Sequence, residues 1–186
     1  MSAQLERHLF TVEDYYRMAS AGILLEDDRV ELIEGEIIDM SPIGSPHAAC
    51  VMRLVELFGR LLGDKAIVSS QNPVRLSDLS EPQPDVALLV RRDDFYASAH
   101  PTARDVMLLI EVSDTTLDYD RKTKLPLYAS SGIAEYWIVD LNAEAIEIYT
   151  KPTNGTYTET QIVKRGENLV LHAAGDLAVA ANDILG

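Results

Sequence analysis

Residues Val106–Ser113 read Val-Met-Leu-Leu-Ile-Glu-Val-Ser, almost apolar from end to end. A run this short and this apolar suits a strand covered on both faces, because a strand with one wet side alternates. Such a strand needs layers above and below it, so the chain must supply elements to pack there. Ser45-Pro46 supplies one start signal: Pro is at home in the first turn of a helix, where its missing N–H is no loss. Val51, Leu54, Val55, Phe58, Leu61 and Leu62 then recur at helical spacing, and Gly63 stops the run. This predicts a long amphipathic helix over 45–62.

The remaining pattern is mostly short strands. Thr11 with Asp14 three residues on predicts a capped helix that Gly22 ends. Arg29–Met40 reads as two strands joined at Glu34-Gly35, with Ile37 and Ile38 side by side, so a bulge or two-sided burial is expected there. Ala66–Ser70, Val74–Leu76 and Asp85–Val90 read as strands. A polar loop over Asp114–Asp120 leads to a helix that runs to Ser131 and closes at Gly132. Pro126 fits only a first helical turn, which would start that helix near Thr123. Glu135–Asp140 and Ala145–Thr150 are strands, and Asn154-Gly155 is a type I′ hairpin signal leading into Thr156–Val163. The last 20 residues read as a small strand and a tail. Strands outnumber scattered helices, which argues for a mixed α/β (α+β) domain rather than a bundle or a sandwich.

Composition narrows the class of partner. The 186 residues carry 30 Asp and Glu against 16 Lys and Arg, a formal charge of −14. Bulk nucleic acid and anionic membranes repel such a surface, so any nucleic-acid function needs a local site and a bound cation. Cys50 is the single cysteine, which removes an intrachain disulfide and a cysteine zinc site and fits a reducing compartment. No apolar run approaches the ~18 residues of a membrane span, and the first ten residues lack the apolar core of a signal peptide. The expectation is one domain over 1–186, cytoplasmic, with no membrane partner and with a homodimer as the default assembly.

Polar groups embedded in apolar strands carry the functional signal. Glu111 lies inside the central strand, on the face that strand geometry gives to Leu109 and Met107. A carboxylate there is costly unless a cation or hydrogen bonds compensate. Asp85 opens Asp-Val-Ala-Leu-Leu-Val. If the two strands are neighbours, two hard oxygen donors converge, a set that suits Mg²⁺ or Mn²⁺. Against this, the plainer reading of Asp85 is a turn residue after Pro84, and that of Glu111 the partner of a buried Lys or Arg. Lys122 and Lys124 both lie where a lysine could fold back on Glu111, or both could sit on a solvated face with Asp120 as an N-cap. His47 reads first as a surface residue in a helix's opening turn. Glu31, Glu34 and Glu36 read as the exposed side of a hairpin, and Tyr128, Tyr136 and Trp137 as core. P-loop, dinucleotide-binding, zincin and nucleophile-elbow motifs are all missing. A glycosidase built on two carboxylates lacks a sugar-stacking signature.

Several of these segments together resemble a known family. Arg29-Val30-Glu31-Leu32-Ile33-Glu34-Gly35-Glu36 through Ser41-Pro42, followed by His47, resembles the opening of the Uma-two family, restriction-endonuclease-like proteins of the PD-(D/E)XK nuclease superfamily. Gln83-Pro84-Asp85-Val86 resembles its Pro-Asp element, and Ile110-Glu111-Val112-Ser113 its acidic strand. Asp120, Lys124 and Tyr128 match the Asp, Lys and Tyr that follow, and Gly132–Asp140 resembles its Glu-Tyr-Trp signature. The resemblance spans Phe10 to about Ile162.

The resemblance implies a restriction-endonuclease-like core, a central mixed sheet flanked by helices. It implies a metal-dependent endonuclease acting on nucleic acid, DNA before RNA, with Mg²⁺ or Mn²⁺ held by Asp85, Glu111 and the backbone carbonyl of Val112. The superfamily's lysine stands two residues after the acid. Here that position is Ser113, and the family's lysine maps to Lys124, so Asp85, Glu111 and Lys124 are the implied catalytic set. Glu36, His47 and Lys122 are the implied pocket residues around it. Asp114 replaces a frequent Pro, and Pro126 falls inside the helix carrying Lys124. The alternative is a nuclease-fold interaction or regulatory module with weak or no catalysis, since fold does not dictate function.

Overall fold

The computed structural model describes residues 7–25 and 27–186. Val106–Ser113 forms β5, the strand on which the rest is built. Its two central neighbours are β4 (Val86–Val90), antiparallel to it, and β6 (Glu135–Asp140), parallel to it. Outward from these come β3 (Ala66–Ser70), then β7 (Ala145–Thr153) and β8 (Thr156–Lys164), in the sheet order β3-β4-β5-β6-β7-β8. The sheet is mixed, as the family resemblance implies, with one parallel pair among antiparallel ones.

Both faces are covered. The helix predicted from Ser45-Pro46 is α2 (Ser45–Leu62), and its Cys50, Leu54, Leu57 and Phe58 pack against Leu108, Ile110 and Val112 of β5 and Trp137 of β6. The C-terminal segment is more than a tail. It forms the hairpin β9 (Asn168–Leu171) and β10 (Leu177–Ala180) and a short helix α5 (Ala181–Leu185), whose Ile184 is fully buried in the same core. On the opposite face Leu109, Ile138, Tyr136 and Ala87 meet Leu127, Tyr128 and Ile133.

The helix over that second face departs from expectation. It begins at Leu117 rather than Thr123, running as α3 (Leu117–Tyr119), a π-turn over Asp120–Lys124, and α4 (Leu125–Ser130). The Leu125 N–H reaches back five residues to the Asp120 carbonyl. The wider turn gives the Pro126 ring the space that an α-helical turn denies it, so the proline sits inside a continuous helix. Asp120 is therefore an interior helix residue and not an N-cap. The helix closes as predicted, with Gly132 at φ +79° and the Ile133 N–H on the Tyr128 carbonyl.

Two strand expectations fail. Val74–Leu76 forms a single bridge from Arg75 to Thr102 and otherwise bonds to the Pro82, Pro101 and Ser80 carbonyls. It lies among Pro73, Pro82 and Pro84, which have no N–H to offer a ladder. In β5 the pairing slips, with Leu88 opposite Leu108 but Leu89 opposite Val106. This bulge turns Met107 to the α2 face, so it does not share a face with Leu109 and Glu111. The first hairpin, β1 (Val30–Ile33) and β2 (Glu36–Asp39), has an unbroken register instead of a bulge, and all of β1 is buried. Its turn puts Glu34 at φ +49° and Gly35 at φ +81°, the type I′ geometry that also joins β7 to β8 at Asn154-Gly155. α1 (Val12–Ser20) precedes it, with the predicted Thr11–Asp14 capping box.

Candidate metal centre

Asp85 stands where the β4–β5 ladder ends. Val86 pairs with Ile110, and from Glu111 onward the β4 side of β5 has no strand beside it. The Asp85 carboxylate fills that gap: its Oδ2 accepts the Val112 N–H at 2.9 Å. Ser113 turns its carbonyl the other way, to the Leu141 N–H beyond β6. Since N–H and C=O of one strand residue point to the same side, the Val112 carbonyl also faces Asp85. Glu111 lies against the same backbone, its Oε2 accepting the Asp85 N–H at 3.3 Å. Both carboxylates line one cavity of about 600 Å³.

Three elements complete its walls. From the helix over this face, Lys124 sends Nζ to Glu111 Oε1 at 2.9 Å, with Glu31 Oε1 at 3.4 Å. Tyr128 donates its hydroxyl to the same Glu111 oxygen at 2.7 Å. Asp120, one turn before Lys124, is buried and accepts from the Ser113 hydroxyl at 2.6 Å and the Thr116 hydroxyl at 2.8 Å. From α2, His47 donates Nε2–H to Asp85 Oδ2 at 2.9 Å, and its Nδ1 is buried with no partner among the described residues. From β1, Glu31 accepts the Gln83 N–H at 3.0 Å and the Tyr119 hydroxyl at 3.2 Å.

The electrostatics follow from burial and crowding. Desolvation pushes the Glu111 carboxyl up to about 8; Lys124 opposes this, and the nearby Asp85, Asp120 and Glu31 reinforce it. Desolvation opposes charge on Lys124 too, but Glu111, Glu31 and Asp120 outweigh it and hold the ammonium above its ordinary range. Asp85 is also desolvated, yet the His47 hydrogen bond and charge and the Val112 N–H keep it below the usual carboxylate value. His47 is correspondingly raised by its bond to Asp85. Asp120 is raised by burial against the pull of Lys124. Four buried carboxylates thus share one buried ammonium. Asp85, Glu111 and the Val112 carbonyl are hard oxygen groups of the kind that take a divalent cation.

Of the residues singled out in the sequence, Asp85, Glu111, Val112, Lys124 and His47 come together. The buried ion pair weighed for Glu111 is present, with Lys124 as its cation. Lys122 does not join them: it is exposed and pairs with Asp118 at 2.7 Å, because its position in the π-turn points to solvent. Glu36 also stands apart, paired with Arg7 outside the cavity. Glu31, expected on the exposed side of the hairpin, is buried in the site instead. The available signal was Ile33, an apolar residue on Glu31's own face of β1. Asp120, read as an N-cap, and Tyr128, read as core, both reach the site, Asp120 beside Ser113 and Tyr128 through its bond to Glu111.

The domain is a six-stranded mixed sheet with helices on both faces, and two acids, Asp85 just before β4 and Glu111 within β5, meet at one cavity. The sequence model of the Uma2 family, described as "Putative restriction endonuclease", matches residues 12–182, and the chain belongs to that family. A crystal structure from Anabaena variabilis, described as a putative nuclease belonging to DUF820, superposes with a TM-score of 0.73 at 17% identity, covering 95% of this chain and 97% of that one. No curated protein matches the chain. Among the described residues no helix is long and apolar enough to cross a membrane.

Proposed function

We propose that the chain is a divalent-metal-dependent endonuclease that hydrolyses phosphodiester bonds, in DNA before RNA, with Asp85, Glu111 and Lys124 as its catalytic residues. The observation that carries this is the convergence of Asp85 and Glu111 at the open end of the β4–β5 ladder, with Lys124 against Glu111. Asp85, Glu111 and the Val112 carbonyl are the groups that would hold Mg²⁺ or Mn²⁺. When bound there, the cation supplies an activated water and neutralises the charge that develops on phosphate. The protein's own residues do the rest. His47 and the Val112 N–H fix the Asp85 carboxylate in one orientation, and Tyr128 and Lys124 do the same for Glu111. Lys124, held protonated by its carboxylates, keeps a positive charge beside the reacting phosphate. The family description favours DNA as the substrate. A cytoplasmic setting and a homodimer remain part of this reading.

Purified protein should cut nucleic acid in Mn²⁺ or Mg²⁺ and stop in EDTA. Asp85→Asn should abolish cutting, and Lys124→Ala should lower the rate far more than Lys122→Ala. Failure to cut plasmid, single-stranded DNA and RNA alike would leave the interaction-module reading in its place.

A further inference from the structure

The cavity has two unlike walls. One carries the charged groups described above. The other comes from β2 and the segment after it, where Ile38, Met40, Pro42 and Ile43 line the cavity together with Asp39, Ser41 and Gly44, and Ile43 is 40% exposed. A site of about 600 Å³ falls in the range that encloses a small ligand rather than straddling a large one. One apolar wall facing one polar wall matches a single nucleotide, which has an apolar base face and a charged phosphate.

The charges around the mouth point the same way. Seven carboxylate residues line the cavity, against Arg29 and Lys124 and the His47 ring. Lys124 is committed to Glu111 and Glu31. The nearby surface cations are also committed: Lys122 to Asp118, Arg121 to Glu147 and Arg7 to Glu36. Arg29 differs. Among the described residues its guanidinium has no carboxylate partner, and that group's one hydrogen bond is to the Ser41 carbonyl at 3.0 Å, on the rim. Duplex binding draws its affinity from many phosphate contacts, and among the described residues this mouth offers the Arg29 guanidinium alone without a carboxylate partner. A single strand has about half the linear charge density of a duplex. It also exposes base faces, which a duplex keeps stacked inside.

We infer that the site takes an unpaired nucleic-acid strand, with a base against the Ile38–Ile43 wall and Arg29 holding a phosphate next to the one at Asp85 and Glu111. The inference deepens the proposed function and rests on it for the cation that meets the phosphate.

Fluorescence anisotropy tests it, with labelled oligothymidylate, and the same strand annealed to oligoadenylate, as probes. Binding is read in Ca²⁺, another cation of hard oxygen sites, and cleavage separately in Mn²⁺. The single strand should bind at least about tenfold more tightly than the duplex. Arg29→Ala should lose about tenfold in affinity, the worth of one charge-assisted contact, and Arg29→Lys should recover most of it. In cleavage, Arg29→Ala should raise KM with little change in kcat. Ile43→Asp, a surface change that leaves the core intact, should weaken single-strand binding independently. Tight single-strand binding without cleavage in Mn²⁺ would uphold this inference and refute the nuclease reading. Equal or tighter duplex binding, no binding to either probe, or wild-type affinity in both Arg29→Ala and Ile43→Asp would overturn it.

Discussion

Two glutamates are buried on opposite faces of the central sheet, and they are built into very different surroundings. Glu135, at the start of β6 on the α2 face, accepts the Trp137 indole N–H at 2.8 Å and the Ala173 N–H at 2.9 Å. Both its oxygens are taken by neutral donors of the frame, and it lines no cavity described here. It ties the sheet to the C-terminal segment. Glu111, on the other face of β5, meets a buried ammonium, a tyrosine hydroxyl and three further carboxylates, and it opens onto a cavity. Burial raises the carboxyl of each. The difference lies in what compensates. Hydrogen bonds from fixed N–H groups satisfy Glu135 completely, whereas around Glu111 negative charge exceeds positive. A buried acid is therefore weak evidence of a site by itself, and an excess of buried acids over their cations is much stronger evidence.

The same contrast runs along β5. Leu108, Ile110 and Val112 enter an apolar core with α2, while Leu109, Glu111 and Ser113 turn toward the helix that carries Lys124. One face is shaped to stabilise, and the other gives up apolar burial to hold charge.

The largest effect should come from removing the buried ammonium of the crowded region. Lys124→Met leaves Glu31, Glu111, Asp85 and Asp120 without their ammonium, which should cost about 3–5 kcal/mol at neutral pH. Urea unfolding measures it. A loss below about 1 kcal/mol would mean that the carboxylates do not depend on Lys124. Next, Leu108→Ala on the opposite face should cost about 2–5 kcal/mol by opening a cavity, yet leave Mn²⁺ affinity intact. A joint loss of stability and metal binding would show that the two faces are not independent. Glu135→Gln should have the smallest effect, about 1–3 kcal/mol, since its amide presents a donor to an N–H that needs an acceptor. It too should leave Mn²⁺ affinity as it was. A change in that affinity would erase the distinction between the two glutamates.

Much of this contrast is legible in the sequence. β5 and α2 announce themselves through local pattern, and Asn154-Gly155 through turn chemistry. Asp85 and Glu111 stand out because charge interrupts apolar strands. Glu31 does not stand out, because an acid in a hairpin full of acids looks solvated, and only packing against Tyr119, Gln83 and Lys124 reveals otherwise. The resemblance points to Lys124 while local pattern leaves Lys122 open beside it, and the π-turn over Asp120–Lys124, which no periodicity encodes, sets Lys124 against Glu111 and Lys122 in solvent. The bulge that diverts Met107 is likewise a product of long-range pairing, invisible to a residue-by-residue reading.

The most direct test of the shared-cation site is calorimetric titration of Mn²⁺ into the wild type, Asp85→Asn and Glu111→Gln, with Glu135→Gln as the control on the other face. The account predicts saturable binding in the wild type and in Glu135→Gln, and its loss in both Asp85→Asn and Glu111→Gln. Wild-type protein that takes up no Mn²⁺, or binding that survives both site substitutions, would contradict it.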